Sequence, residues 1–248
     1  MKSVKKIMVA AACGAATLAL ANPALADLIV NGGFETTTAG NGQLGYNTDA
    51  TGWSVPAPNG SYAFVFAPGT ADTTGANGEY GGLSLWGPGN GSANGLTASP
   101  NGGNFVALDS DFQIGALSQT VSGLTAGQTY AVSFYWGGAQ QYTFTGPTTD
   151  QLLVSLGAQT LDTSVISVAS HGFSGWLAAT LDFTATGSSE TLSFLAEGTP
   201  VGVPPFALLD GVSMNAVPET PTLLVSAFIL VPVCGHVLRR KMRQQSRA

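Results

Sequence analysis

Few side chains in this sequence are placed to do covalent chemistry. His171, in Ser170-His171-Gly172-Phe173-Ser174-Gly175-Trp176, is the one histidine outside the apolar ends of the chain. A Ser-His-Asp relay would depend on it alone, and Gly172-Phe173-Ser174-Gly175 lacks the residue before its last glycine that a Gly-x-Ser-x-Gly elbow requires. Asp109 and Asp111 lie two apart and can share a strand face, which suits a metal or one half of a glycosidase pair. Such a pair works only at a defined separation across a sugar, and sequence does not set that separation. Cys13 and Cys234 fall in the apolar ends, so the section between them has no thiol nucleophile, disulfide or Cys-ligated zinc. Non-covalent chemistry is better provided for. Trp53, Trp86, Trp136 and Trp176 accompany many Asn, Gln and Asp residues, the combination of stacking and uncharged hydrogen bonding that a neutral saccharide asks for. Trp136 belongs to the packing pattern of its own segment. Trp53 and Trp86 adjoin Gly-rich stretches and are the candidate ligand-binding residues.

Charge narrows the partners. Of the 8 Lys and Arg residues, Lys2, Lys5 and Lys6 open the chain and Arg239, Arg240, Lys241, Arg243 and Arg247 close it, while all 14 Asp and Glu residues lie from Asp27 to Glu219. A section without a cation and with a negative surface repels phosphates, which excludes nucleic-acid binding there. A Walker-type phosphate loop is excluded because its lysine does not exist.

The elements that must position these residues are strands. Short β-branched and aromatic runs recur at 28–30, 62–66, 83–86, 105–108, 129–136, 152–156, 177–183, 191–195 and 206–214, separated by Gly, Asn, Pro and Thr clusters. That spacing predicts an all-β sandwich over residues 27–216. Within Thr129–Trp136, Tyr130, Val132, Phe134 and Trp136 share one side with the period of two of a half-buried strand. Gly123–Gln128 reads as the turn that opens this strand. Residues 36–51 and 87–104, rich in Gly and Asn, read as long surface loops.

Both ends carry targeting patterns. Lys2, Lys5 and Lys6, an apolar run from Ile7 to Ala21 and Ala24-Leu25-Ala26 make residues 1–26 a secretory signal peptide; a lipoprotein site at Cys13 would leave most of the apolar run on the mature chain. Residues 217–248 reverse the order: Val217-Pro218-Glu219-Thr220-Pro221-Thr222, an apolar stretch over 223–238, then a basic tail over 239–248. As a transmembrane helix the stretch is about 24 Å long, against roughly 30 Å of hydrocarbon, so it spans with help from its flanks. The basic cluster places the tail in the cytoplasm and residues from Asp27 onward outside.

This C-terminal order resembles the PEP-CTERM sorting signal of Gram-negative bacteria, with Val217, Pro218 and Glu219 as its motif and Arg239 and Arg240 opening its basic end. Thr220 stands where the usual motif has its second proline. The resemblance implies an exosortase-type processing enzyme as partner, export through the inner membrane, a cell-surface or extracellular-matrix location and an association with exopolysaccharide. The alternative is an ordinary single-span anchor.

The exported section resembles the β-jelly-roll family of galactose-binding-like domains and carbohydrate-binding modules. Asn31-Gly32-Gly33-Phe34-Glu35 resembles that family's opening strand. Phe112 to Tyr130 resembles its central hairpin. Leu208-Leu209-Asp210-Gly211-Val212-Ser213-Met214 resembles its last strand, with Gly211 in place of a second Asp. The resemblance implies a structural calcium shared by the first and last strands, held by Glu35 and Asp210. Calcium takes roughly six to eight oxygens and would relieve repulsion in a domain without cations. The alternative is a pair of solvated strand-end carboxylates. The sequence thus reads as an exported, non-catalytic protein that binds extracellular polysaccharide, or as a structural matrix or biofilm protein without a specific glycan.

Overall fold

The computed structural model describes residues 27–56 and 61–218. The expected signal peptide, Glu219 of the expected sorting motif, and the expected transmembrane helix with its basic tail, Arg239 and Arg240 included, lie outside the described residues. The described residues form thirteen strands: β1 Gly42–Gln43, β2 Ala63–Phe66, β3 Ala76–Gly78, β4 Gly81–Leu83, β5 Phe105–Asp109, β6 Leu117–Ser122, β7 Thr129–Gln140, β8 Thr148–Leu156, β9 Gln159–Asp162, β10 Ile166–Val168, β11 Leu177–Thr184, β12 Ser189–Thr199 and β13 Pro205–Ala216. They build a β-sandwich of two antiparallel sheets. One has the order β1-β2-β5-β13-β7-β11; the other has β10-β8-β12-β6, with β9 also paired to β8, and β3-β4 is a separate hairpin.

The burial pattern explains which strands lie where. Along β8 and from Leu192 to Ala196 of β12 every second residue is buried, so Leu152, Val154, Leu156, Leu192, Phe194 and Ala196 face inward and the residues between them are partly exposed. They meet Val65, Leu108, Val132, Phe134, Trp136 and Leu209 of the six-stranded sheet in one core, where the Phe134 and Phe194 rings pack edge-on at 5.2 Å. In β2, β5 and the first part of β13 the run is continuously apolar because both faces are covered. Phe64, Phe66, Phe105, Ala107, Phe206 and Leu208 point away from the sandwich core into a second cluster, roofed by Ala71, Ala76, Leu83 and Leu85.

Three expectations need correction. The segment Asn31–Glu35 is a turn rather than an opening strand: Asn31 and Phe34 have φ of 53° and 58°, and Phe34 N–H donates to Asn31 C=O at 3.0 Å. Leu28–Val30 forms no strand either, although Leu28 N–H donates to Met214 C=O at 3.1 Å. The segment Phe112–Tyr130 is not a hairpin, because β6 pairs with β12 and β7 pairs with β11 and β13. Residues 123–128 carry the chain from one sheet to the other, with Gly123 and Gly127 at φ of 86° and 85°. Local composition shows a turn there; it does not show that the two strands find different partners.

Candidate ligand groove and carboxylate site

The turn at 31–35 is held by its glycines and its asparagine. A Cβ at Gly32 would collide with Val212 C=O of β13, and Val212 N–H donates to Gly32 C=O at 2.9 Å, so only glycine permits this approach. Asn31 Oδ1 accepts from Thr36 N–H at 3.0 Å, its Nδ2 donates to Thr36 and Thr51 C=O, and its C=O accepts the Trp53 indole N–H at 3.0 Å. One side chain thus ties the turn to both ends of the 36–51 loop.

The clasp brings the two predicted carboxylates together. A Cβ at Gly33 would lie 3.8 Å from Asp210 Oδ1 and 3.9 Å from Glu35 Cγ. Asp210 is fully buried; its Oδ1 accepts from Gly211 N–H at 2.6 Å and from Asn101 Nδ2 at 3.4 Å, while its Oδ2 has no hydrogen-bond partner. Burial pushes this carboxyl up to about 6, against the nearby Ser99 hydroxyl, the Gly211 N–H and Asn101, and the charge of Glu35 adds to the rise. Glu35 is exposed and its Oε1 accepts from Asn104 N–H at 2.8 Å. Among the described residues no group of three or more His, Cys, Asp or Glu gathers. The groups beside Asp210 are the Ser99 hydroxyl, the Asn101 amide and the Glu35 carboxylate, hard-oxygen chemistry of the class that calcium takes, and Asp210 Oδ2 is buried without a hydrogen bond.

Trp53 is a core residue. Its indole is 7 % exposed and packs on Phe34 at 5.3 Å and Phe194 at 6.1 Å, so its faces are not open for stacking. It instead lies at a surface cavity of about 470 Å³ whose other walls include Thr38, Tyr46, Asn47, Asp49 and Val55. Tyr46 is 55 % exposed. The wall is a stiff turn: Gln43 C=O accepts the N–H groups of Tyr46, Asn47 and Thr48, Gly45 N–H reaches Thr48 C=O, and Thr38 and Asp49 exchange two bonds of 2.9 and 2.8 Å. The lining is mostly polar: side-chain oxygens and amides of Thr38, Asn47, Thr48, Asp49 and Ser54 surround the exposed Tyr46 ring, with Val55 and the edge of Trp53 as its apolar part.

Trp86 is half-buried and its ring is occupied. His171 stacks on it with ring centroids 3.9 Å apart, Tyr142 meets it edge-on at 4.6 Å, and its indole N–H donates to Phe144 C=O at 2.8 Å. Trp53 and Trp86 are not brought into one site; they serve separate packing clusters.

Asp109, Asp111 and Ser174, weighed in the sequence for covalent or metal chemistry, are each engaged in loop hydrogen bonds. Asp109 ends β5 and accepts the N–H groups of Asp111, Phe112 and Gln113 at 2.9 to 3.2 Å, while Asp111 accepts Gly202 N–H at 2.7 Å. The two share no strand face; Asp109 shapes the loop that Asp111 belongs to. Burial pushes the Asp109 carboxyl up despite those three donors. Ser174 accepts from Gly138 N–H and donates to Gly175 C=O, both at 2.8 Å.

Sequence reasoning missed Asp150, Tyr46, Tyr80 and Phe112. Asp150 is fully buried at a core position of β8, accepts the Ser110 hydroxyl at 2.7 Å, and is pushed well up by burial. Tyr80 and Phe112 are 57 % and 59 % exposed. A signal existed for both tyrosines: each stands among turn residues, in Leu44-Gly45-Tyr46-Asn47 and Gly78-Glu79-Tyr80-Gly81, where an aromatic side chain has no strand face to bury.

No family model matches the chain, and no curated protein sequence matches it. Among solved structures, TmCBM61 in complex with β-1,4-galactotriose is similar at 16 % identity, over 77 % of this chain and 99 % of that one, with a TM-score of 0.42. The CBM22-1 xylan-binding domain from Paenibacillus barcinonensis is similar at 13 % identity, over 81 % and 100 %, with a TM-score of 0.38. The K1 cleaved adhesin domain of Lys-gingipain from Porphyromonas gingivalis W83 is similar at 14 % identity, over 74 % and 99 %, with a TM-score of 0.39. At these values the likeness extends to no ligand, and the functional reading rests on the groove itself.

Proposed function

We propose that this chain is an exported, non-catalytic jelly-roll protein that binds a neutral polysaccharide at the cell surface or in the extracellular matrix. The observation that carries the reading is the groove beside Trp53: about 470 Å³, lined by the exposed Tyr46 ring, by Val55 and by the polar side chains of Thr38, Asn47 and Asp49. Its surroundings repel acidic ligands, because no Lys or Arg occurs between Lys6 and Arg239. Calcium, held by Glu35 and Asp210, would join the N-terminal turn to β13 and neutralise two carboxylates that otherwise oppose each other. Val217-Pro218-Glu219 and the Arg239-Arg240 end would deliver the domain through an exosortase-type enzyme, and the intervening helix would hold it at the membrane until processing.

The test is binding of the full chain to a panel of neutral linear glycans, including xylan, β-1,4-galactan and cellulose oligosaccharides. Saturable binding that Tyr46→Ala weakens about tenfold without lowering the melting temperature supports the reading. No saturable binding to any glycan, including polysaccharide from the producing cells, overturns it. Intact mass of the surface and released forms tests the sorting part: loss of the segment after about Glu219 is expected, and a membrane form that retains 223–248 throughout would overturn it.

A further inference from the structure

Tyr80 and Phe112 form a second aromatic surface away from the Trp53 floor. Their rings meet edge-on at 5.5 Å, and both rest on the buried Tyr62, at 6.0 and 5.8 Å. Gln113 Nε2 donates to the Tyr80 hydroxyl at 3.1 Å, and Tyr62 N–H donates to Gln113 C=O at 2.9 Å, so the platform is braced from beneath. Two rings of this size left more than half exposed, with an amide at their edge, offer apolar faces and hydrogen bonds but no charge of their own.

The platform is hydrogen-bonded into the same block as the groove. Gln43 is 1 % exposed, and its C=O collects the Tyr46, Asn47 and Thr48 N–H groups that shape the groove wall. Its side chain turns the other way: Oε1 accepts Glu79 N–H at 2.8 Å, and Nε2 donates to Ser61 C=O at 3.2 Å. Asn47 Nδ2 adds a bond of 2.9 Å to Asn77 C=O of β3. Tyr46 and Tyr80 therefore sit on two turns that share one buried glutamine.

From this continuity we propose that the Tyr80–Phe112 pair is a second subsite for the same neutral glycan chain, which lies across the Tyr46 groove and extends onto these rings. The ligand is then a polymer read along its length rather than a chain end or a short sugar. This inference rests on the groove reading. The occupant is a neutral glycan and not an acidic one because the charged side chains beside the rings in the chain and beneath them, Glu79, Asp109 and Asp111, are all carboxylates; it is not a bare apolar surface because Gln113 donates to the Tyr80 hydroxyl at the edge of the pair.

The experiment uses the full chain with disaccharide and hexasaccharide fractions of xylan and of β-1,4-galactan, measured by calorimetry. The hexasaccharide is expected to bind more tightly than the disaccharide. Tyr80→Ala with Phe112→Ala should lower hexasaccharide affinity about tenfold and leave the disaccharide unchanged, whereas Tyr46→Ala should weaken both. Phe112→Ser alone, at an exposed loop position, gives a milder form of the same test should the double variant melt early. Unchanged hexasaccharide affinity in a folded double variant overturns the second subsite while leaving the groove intact. Should neither fraction bind, the same comparison is made with oligosaccharides of the producing cells' own polysaccharide, and no binding there either removes the groove reading and this one with it. Self-association without glycan that the double variant abolishes would make the rings a contact between copies and overturn the proposal.

Discussion

The imidazole of His171 covers the indole of Trp86, with centroids 3.9 Å apart and planes 28° from parallel. The backbone enforces this placement: His171 has φ of 60°, its N–H donates to Gln140 Oε1 at 2.8 Å, and its C=O accepts from Ser92 and Asn94. A side chain so held is a lid on Trp86. His171→Ala should shift Trp86 emission to the red by opening one face to water, and should cost about 1 kcal/mol of stability from the lost stacking. Because the groove is built from other residues, glycan affinity should not change; emission spectra, a denaturant titration and the glycan assay read the three effects.

Asp210 makes stability depend on pH with an unusual sign for a carboxylate. Its folded value of about 6 lies above the ordinary 3.8, so between about pH 4 and 6 the native state holds a proton that the unfolded chain has released. Stability contributed this way is fully present below the lower value and is lost as pH rises through the upper one. The calcium-free protein should therefore be more stable at pH 5 than at pH 7.5, by about 1 kcal/mol from this group after allowance for screening near Glu35. Asp109 and Asp150, also pushed up by burial, add to the slope in the same direction, so Asp210→Asn should remove only its own share and abolish the calcium-dependent part. Added calcium should raise the melting temperature at pH 7.5 far more than at pH 5; equal effects at both would mean that Asp210 does not hold the ion.

Gly103 tests the other side of the same site. It has φ of 71°, and a Cβ there would run into the Glu35 carboxylate. Gly103→Ala should destabilise by about 1–2 kcal/mol through backbone strain and should displace Glu35 from Asn104 N–H. Thermal melts with and without calcium check it: the variant should lose the calcium increment as well as the baseline stability.

Much of the scaffold is legible in the sequence because period and burial agree there. Tyr130, Val132, Phe134 and Trp136 alternate in the sequence and are buried together in β7. Glu35 and Asp210 are singled out by the resemblance of their segments to a family's first and last strands, not by any period or spacing. What was not legible is the covering of the six-stranded sheet. Phe64, Phe105 and Phe206 read as ordinary strand residues, and only long-range packing shows that the 67–104 segment buries their outer face. Tyr80 and Phe112 are exposed for the same reason, because their surroundings are assembled from β1, the β3-β4 hairpin and the loop after β5.

Trp53 and Tyr46 border one groove but carry different burdens. Trp53 contributes its rings to the core, between Phe34 and Phe194, and its N–H to the turn at Asn31. Trp53→Ala should therefore cost about 3–5 kcal/mol and loosen the 31–36 turn, lowering glycan binding and calcium response together. Trp53→Phe keeps most of the volume but loses the N–H bond, and should cost about 1–2 kcal/mol with binding retained. Tyr46→Ala, at an exposed turn position, should leave the melting temperature within a degree or so and remove only affinity. Melting temperature and glycan affinity measured on all three variants separate the floor from the platform. If Trp53→Phe lost binding while remaining as stable as the wild type, the indole itself would be a ligand contact, and the core role assigned to it here would be wrong.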